Sequence, residues 1–316
     1  MNHRPGAAPV IGRAAELARL ELLVTRRLDG LLHGELLARS PGPGSEPAGS
    51  RAYGPGDDAR RIDWNLSARS LAPQVRTTDA DRELSTWVVI DRSASMRFGT
   101  AEREKAEVAS AALAAFGFLT ARPGNRFGVV VAGGDHPERH GPVSGRSARL
   151  ALLSRCWDAP TSDGPAGSGL GAALGVLERV PTPRGLVVVI SDFLDAGWVR
   201  PLARLALAHE VVAVHVVDPR ELSLPDVGVI TVVDPESGRL LDVPTDSPGL
   251  RERYATAAAA RHAGIAADLH GAGADRVELT TDRDWLVDLV RFVGHRRLAG
   301  RPPIRRPVVR RLRSVS

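Results

Sequence analysis

Asp91, Ser93 and Ser95 form the pattern Asp-x-Ser-x-Ser, one carboxylate and two hydroxyls on a five-residue stretch. All three are small, hard oxygen donors, the type that suits Mg²⁺ or Mn²⁺. They follow Ser85-Thr86-Trp87-Val88-Val89-Ile90, which reads as a strand buried in a parallel sheet. In an open α/β sheet the loop leaving the carboxyl end of a strand is where ligands bind. A second acid, Asp192, follows the apolar run Leu186 to Ile190, and Ser168 opens a helical stretch at Gly169. Both loops are expected at the same sheet edge.

The elements that must position these residues alternate in type. Strands are predicted near 87–91, 126–132, 185–190, 211–217 and 275–279, and helices near 103–121, 147–157, 169–180, 198–208, 248–269 and 284–298. Alternation of this kind predicts an α/β fold, a doubly wound and mostly parallel sheet with helices on both faces. Leu17, Leu20, Leu23, Val24, Leu28 and Leu31 give Ala14 to Leu32 the spacing of an amphipathic helix. Val227 to Val233 and Arg239 to Val243 read as a hairpin. The expected organisation is an N-terminal helical segment (1–33), a β and turn segment packed on the main domain (34–84), the main domain (85–299, hairpin insertion near 227–243) and a basic, disordered tail (300–316).

Four stretches carry a resemblance. Arg51 to Trp64 with Ser67-Ala68-Arg69, Asp91 to Thr100, Ile190-Ser191-Asp192-Phe193-Leu194-Asp195 and Val217-Asp218-Pro219 are similar, in that order, to the bacterial family called domain of unknown function 58. The likeness runs over roughly residues 30 to 295, and the Asp-x-Ser-x-Ser spacing resembles the metal-ion-dependent adhesion site (MIDAS) of von Willebrand factor A domains. It implies a von Willebrand factor A-like domain holding Mg²⁺ or Mn²⁺ on Asp91, Ser93, Ser95, Ser168 and Asp192. The hydroxyls would ligate directly and the carboxylates largely through water, leaving the metal open to a partner's Asp or Glu. It further implies a non-enzymatic adaptor that binds a MoxR-type AAA+ ATPase and a client protein in complex assembly or maturation. One departure stands out: Ser168-Gly169 replaces the family's usual threonine and aspartate. Restoring the acid with Gly169→Asp is therefore expected to strengthen metal binding.

The stretch around Trp64 has chemistry of its own. Gly54-Pro55-Gly56-Asp57 favours a tight turn, Asp57, Asp58, Arg60, Arg61 and Asp63 offer ion pairs, and Trp64 offers an apolar anchor. These features predict a segment pinned to the main domain, with Arg60, Arg61, Asp63 and Trp64 as candidate partner contacts.

Composition narrows the classes. With 43% apolar and 25% charged residues the chain is ordinary for a globular protein. No apolar run approaches the roughly eighteen residues of a membrane span and no signal-peptide pattern opens the chain, so a cytoplasmic protein is expected. The 42 basic residues include six in the tail, leaving 36 against 37 acids, and only one of the 42, Lys105, is lysine. No aromatic-interleaved basic patch points to specific nucleic-acid binding; the tail could give weak attraction to an anionic surface. The single Cys156 excludes an intramolecular disulfide.

Two rival readings use the same residues. Asp91 and Asp192 could hold Mg²⁺ in a phosphohydrolase, yet no general base or nucleophile accompanies them. Gly167-Ser168-Gly169-Leu170-Gly171-Ala172 fits a dinucleotide fingerprint, but the loop Ala159 to Ala166 stands where its strand is required. His136 and His140 are four apart, though Pro137 argues against the helix a zinc pair would need.

Overall fold

Asp91 ends a central strand of a six-stranded sheet, and the order of those strands decides what lies beside it. The computed structural model describes residues 15–27, 50–54, 62–70, 72–76, 84–99, 103–121, 124–134, 136–157, 159–161, 169–180, 182–233 and 239–298. In chain order the first elements are helix α1 (15–27), β1 (Ser50–Ala52), α2 (Trp64–Ser67) and β2 (Gln74–Arg76). Then come β3 (Ser85–Asp91), α3 (Lys105–Leu119), β4 (Arg126–Ala132), β5 (Glu138–Val143), α4 (Arg146–Trp157) and α5 (Leu170–Arg179). The rest are β6 (Leu186–Ser191), α6 (Val199–Ala208), β7 (Glu210–Val217), β8 (Val229–Val233), β9 (Leu240–Pro244), α7 (Pro248–Gly271), β10 (Asp275–Thr280) and α8 (Trp285–Leu298).

The main sheet runs β10-β7-β6-β3-β4-β5, parallel throughout except for β5. This is the doubly wound α/β fold that the strand and helix alternation predicts. Strand order reverses between β3 and β6, the place where such sheets open a crevice for ligands. Asp91 closes β3 and Asp192 follows β6, so both acids of the predicted set border that crevice.

Burial explains why β3 is central. All seven of its residues are buried. Val88 and Ile90 pack with Leu17 and Val24 of α1, the apolar residues of α3, Leu153 of α4 and Leu289 of α8. Trp87 and Val89 point the other way, onto Leu170 and Leu174 of α5, Leu202 of α6 and Leu269 of α7. The Trp87 ring lies across Gly128 of β4, where an added Cβ would come 2.5 Å from it. Helix α3 is Ala-rich and buried almost all round, and it begins with a capping box made by Glu104 and Glu107.

Several expectations need correction. β5 was not evident from the sequence because Glu138-Arg139-His140-Gly141-Pro142-Val143 lacks apolar alternation. It is an edge strand, where proline and polar residues are tolerated. Trp64 is not an apolar anchor: it is 71% exposed. The Asp63 carboxylate caps the short α2, accepting from the Asn65 and Leu66 N–H groups at 3.1 and 3.2 Å. Helix α1 is described only over 15–27, so the Leu28 and Leu31 part of that reading lies outside the described residues, as do Arg60, Arg61, Ser168 and the tail 300–316.

Candidate functional site

The Asp91 carboxylate is 2% exposed and held by its own loop and by β6. Its Oδ1 accepts the Ser93 N–H at 2.8 Å and its Oδ2 accepts the Ser191 hydroxyl at 2.6 Å. The Ser93 and Ser95 hydroxyl oxygens sit 3.0 Å apart, and both residues are half-buried. Arg92, between the ligand-type residues, fixes the loop from behind. Its guanidinium donates to Ser110 Oγ (2.7 Å) and the carbonyls of Cys156 (3.1 Å), Trp157 (3.2 Å) and Ala106 (3.3 Å). One side chain thus ties the Asp-x-Ser-x-Ser loop to α3 and the end of α4.

Asp192 is equally buried but differently partnered. Its Oδ1 accepts the Leu194 N–H at 3.2 Å, and its Oδ2 accepts the Lys105 ammonium at 2.7 Å. The same ammonium reaches Glu221 Oε1 at 2.5 Å and stands 5.8 Å from the centre of the Phe98 ring. Glu221 is brought there by a short 3₁₀ turn, Pro219–Glu221. Asp218 caps that turn at the Arg220 N–H and accepts the Thr281 hydroxyl at 2.8 Å. Val217-Asp218-Pro219 therefore aims a third acid at the site. Next to Asp192, Phe193 has a φ of +57°, rare for a residue with a bulky side chain, and is buried edge-on against Trp198.

The charges are compensated unevenly. Burial, and then the neighbouring Asp192, push the Asp91 carboxyl up to about 6, only partly offset by the Ser191 and Ser93 hydrogen bonds. Burial lowers the Lys105 pKa, but Asp192 and Glu221 outweigh it and the net shift is upward, so the ammonium stays charged. For Glu221 burial outweighs the attraction of Lys105, and its pKa rises. Asp91 has no ion pair among the described residues. A buried, under-compensated carboxylate beside two hydroxyls fits a hard divalent cation, with Asp91, Ser93 and Ser95 as the holding residues.

Beside the site lies a cleft of about 690 Å³, walled by residues including Asp192, Glu221, Leu224, Ile230 and Tyr254 and ending at His215. There His215, His262 and Glu278 converge, their ligand atoms within 4.8 Å of one another. The Arg276 guanidinium occupies that convergence. It contacts Glu278 and lies 3.0 Å from both His215 Nδ1 and His262 Nε2, so the trio already has its cation.

Burial, then Arg276 and His262, pull the His215 pKa down to about 3 from 6.5. The unfolded chain takes up this proton below about 6.5 and the folded chain does not, so the stability His215 contributes is lost as pH falls from 6.5 toward 3. Asp91 acts in the opposite sense below about 6, so the difference between variants is the useful readout. His215→Asn should gain on the wild type by roughly 1.4 kcal/mol for each pH unit between about 6.5 and about 4.5, measured by denaturant unfolding. A gap that does not change with pH would show that His215 is not held neutral.

Of the predicted set, the structure brings Asp91, Ser93, Ser95 and Asp192 to one sheet edge. Ser168 is outside the described residues, and its neighbour Gly169 corrects the Gly169→Asp expectation. A Cβ on Gly169 would lie 1.4 Å from Asp195 Oδ2, which accepts the Leu170 N–H at 2.8 Å. The Asp195 carboxylate, from another loop, therefore occupies the space beside Gly169. Gly169→Asp should displace Asp195 from the start of α5 and destabilise the fold, with a lowered melting temperature as the readout. Gly171 meets the Gly197 carbonyl closely, a Cβ there falling 2.9 Å from that oxygen, so Gly169 and Gly171 serve close packing at the start of α5.

Sequence reasoning missed Ser191, Glu221 and the part played by Arg92. Lys105 had one signal: it is the sole lysine among 42 basic residues.

The fold is similar at low identity to solved structures. A conserved hypothetical protein BatB from Bacteroides thetaiotaomicron is 16% identical, with a TM-score of 0.43, 68% of this chain and 98% of that one covered. The SpRpn10 VWA domain is 16% identical, with a TM-score of 0.35, 66% of this chain and 94% of that one covered. In sequence the chain is 47% identical over 285 residues to an uncharacterised protein of Mycobacterium tuberculosis, covering 90% of both. A shorter uncharacterised protein of Mycobacterium avium is 41% identical over 162 residues, 50% of this chain and 95% of its own. The family model described as "Protein of unknown function DUF58" matches residues 49–264, more than half of the chain and all of the Asp91, Lys105, Asp192 and Glu221 constellation. With that span and that close a relative, the chain belongs to the DUF58 family.

Proposed function

We propose that this chain is a non-enzymatic adaptor of the cytoplasm that recognises a protein partner through a divalent cation on the Asp91 loop. The observation that carries the reading is the under-compensated Asp91 carboxylate, buried beside the Ser93 and Ser95 hydroxyls where the strand order reverses. Asp91, Ser93 and Ser95 would hold Mg²⁺ or Mn²⁺, and the bound ion would offer positive charge to a partner's Asp or Glu carboxylate. Ser191 and Arg92 keep the loop in place before the partner arrives. The partner suggested by family resemblance is a MoxR-type AAA+ ATPase, which would bring the adaptor to a client protein.

A phosphohydrolase reading gains nothing from the geometry. His215, which lines the adjoining cleft, is too weak a base with its pKa near 3 and Arg276 on its Nδ1.

The adaptor reading is tested with the purified full-length chain and a MoxR-type ATPase from the same genome, in Mg²⁺ and then in chelator. Binding should weaken about tenfold or more on chelation and to a similar degree with Asp91→Asn. Affinity indifferent to both treatments would overturn the reading.

A further inference from the structure

Lysine occurs once among the 42 basic residues of this chain, and its side chain, in the site, has no exposed surface. In a protein that otherwise uses arginine, this position demands something a guanidinium does not provide. An ammonium is compact and offers three donors in any direction, whereas the guanidinium is a planar fork. The Lys105 ammonium reaches the buried Asp192 Oδ2 at 2.7 Å and the part-buried Glu221 Oε1 at 2.5 Å. In size, charge and choice of oxygen partners it behaves as a tethered cation. Asp91, at the same sheet edge, has no ion-pair partner among the described residues.

We infer that Lys105 is a built-in competitor for the divalent cation. The inference rests on the cation-binding reading of the Asp91 loop and adds its regulation. While Lys105 holds Asp192, an incoming ion finds the full charge of Asp91 alone, and the site binds weakly. Drawing Asp192 into the ion's shell requires its release from the ammonium, which Glu221 then retains. Glu221 has the placement for this: it is partly exposed, with 24% of its side chain open, and it is set by the Asp218-capped turn rather than by the Asp91 loop. Exchange of Asp192 between Lys105 and the ion therefore sets the affinity.

Two substitutions should move Mg²⁺ affinity in opposite directions. Lys105→Met removes the competitor and should tighten Mg²⁺ binding by about tenfold or more. Glu221→Gln removes the alternative anchor, fastens Lys105 to Asp192 and should weaken binding by roughly threefold. A purely structural lysine would give a loss in both. Calorimetric titration of Mg²⁺ into the full chain reads the affinities. The single lysine also allows a direct view: isotope-labelled lysine gives one side-chain signal, which should shift saturably with Mg²⁺ in the wild type and stay fixed in Asp91→Asn. Should Lys105→Met fold poorly, Glu221→Gln and the labelled wild type still decide the matter. Wild-type binding that Glu221→Gln leaves unchanged, with a lysine signal that does not move, would overturn the inference and leave the cation site standing. No binding in the wild type but binding in Lys105→Met would uphold the competitor and overturn the proposed loading of the natural site. No binding in either would overturn both.

Discussion

Asp91→Asn should make the free protein more stable near pH 7.5, by about 1–3 kcal/mol, rather than less. Burial and Asp192 raise the Asp91 pKa to about 6 from 3.8, so the folded chain favours the protonated acid. Its contribution to stability is present below the ordinary carboxylate range and is lost as pH rises through about 6. Above that the ionised group is a cost. Two units correspond to about 3 kcal/mol as an upper limit. Asparagine keeps the shape: its oxygen can accept the Ser93 N–H, and the Ser191 hydroxyl can turn to accept from its amide. The gain should shrink as pH falls below about 6 and vanish only below about 3.8, where Asp91 is protonated in the unfolded chain as well. Denaturant midpoints at the two pH values check this, and an Asp91→Asn protein less stable than wild type at the higher pH would show that the charge is already compensated.

The second large effect lies in the core behind the site. Trp87 is fully buried, against the α5, α6 and α7 side of the sheet, with its ring across Gly128. Trp87→Ala should cost about 3–5 kcal/mol, since it removes a large ring from a packed layer and leaves a cavity. Trp87→Phe should cost far less. The indole Nε1 is buried without a hydrogen-bond partner among the described residues, so losing it removes a desolvated donor while much of the packing remains. Urea unfolding of the pair tests this; equal losses would mean the indole N–H is satisfied in solution.

The parallel core was legible because Val88-Val89-Ile90, Leu186 to Ile190 and Val211 to Val214 are apolar on both faces, a pattern that few other folds require. From Asp-x-Ser-x-Ser and the end of β6, the two acids could be placed at one edge. What was hidden depended on contacts distant in sequence. Lys105 and Asp192 are 87 residues apart, and Lys105 and Glu221 are 116 apart. No local pattern says that an ammonium at the start of α3 will join those acids. Asp195 filling the space at Gly169 was hidden for the same reason, since spacing along the chain does not reveal which loop reaches the start of α5. β5 escaped because an edge strand needs no apolar face, and Trp64 misled because a large ring in a turn-rich stretch reads as an anchor whether or not a core lies beneath it.

The most direct test of the cation site is calorimetric titration of Mg²⁺ into the metal-free, full-length wild type beside Asp91→Asn. The geometry predicts weak, saturable binding of one ion to the wild type and none to the variant, since of Asp91, Asp192 and Glu221 only Asp91 has no ion pair with Lys105. Equal heats in the two proteins, or no heat in the wild type at millimolar metal, would contradict it.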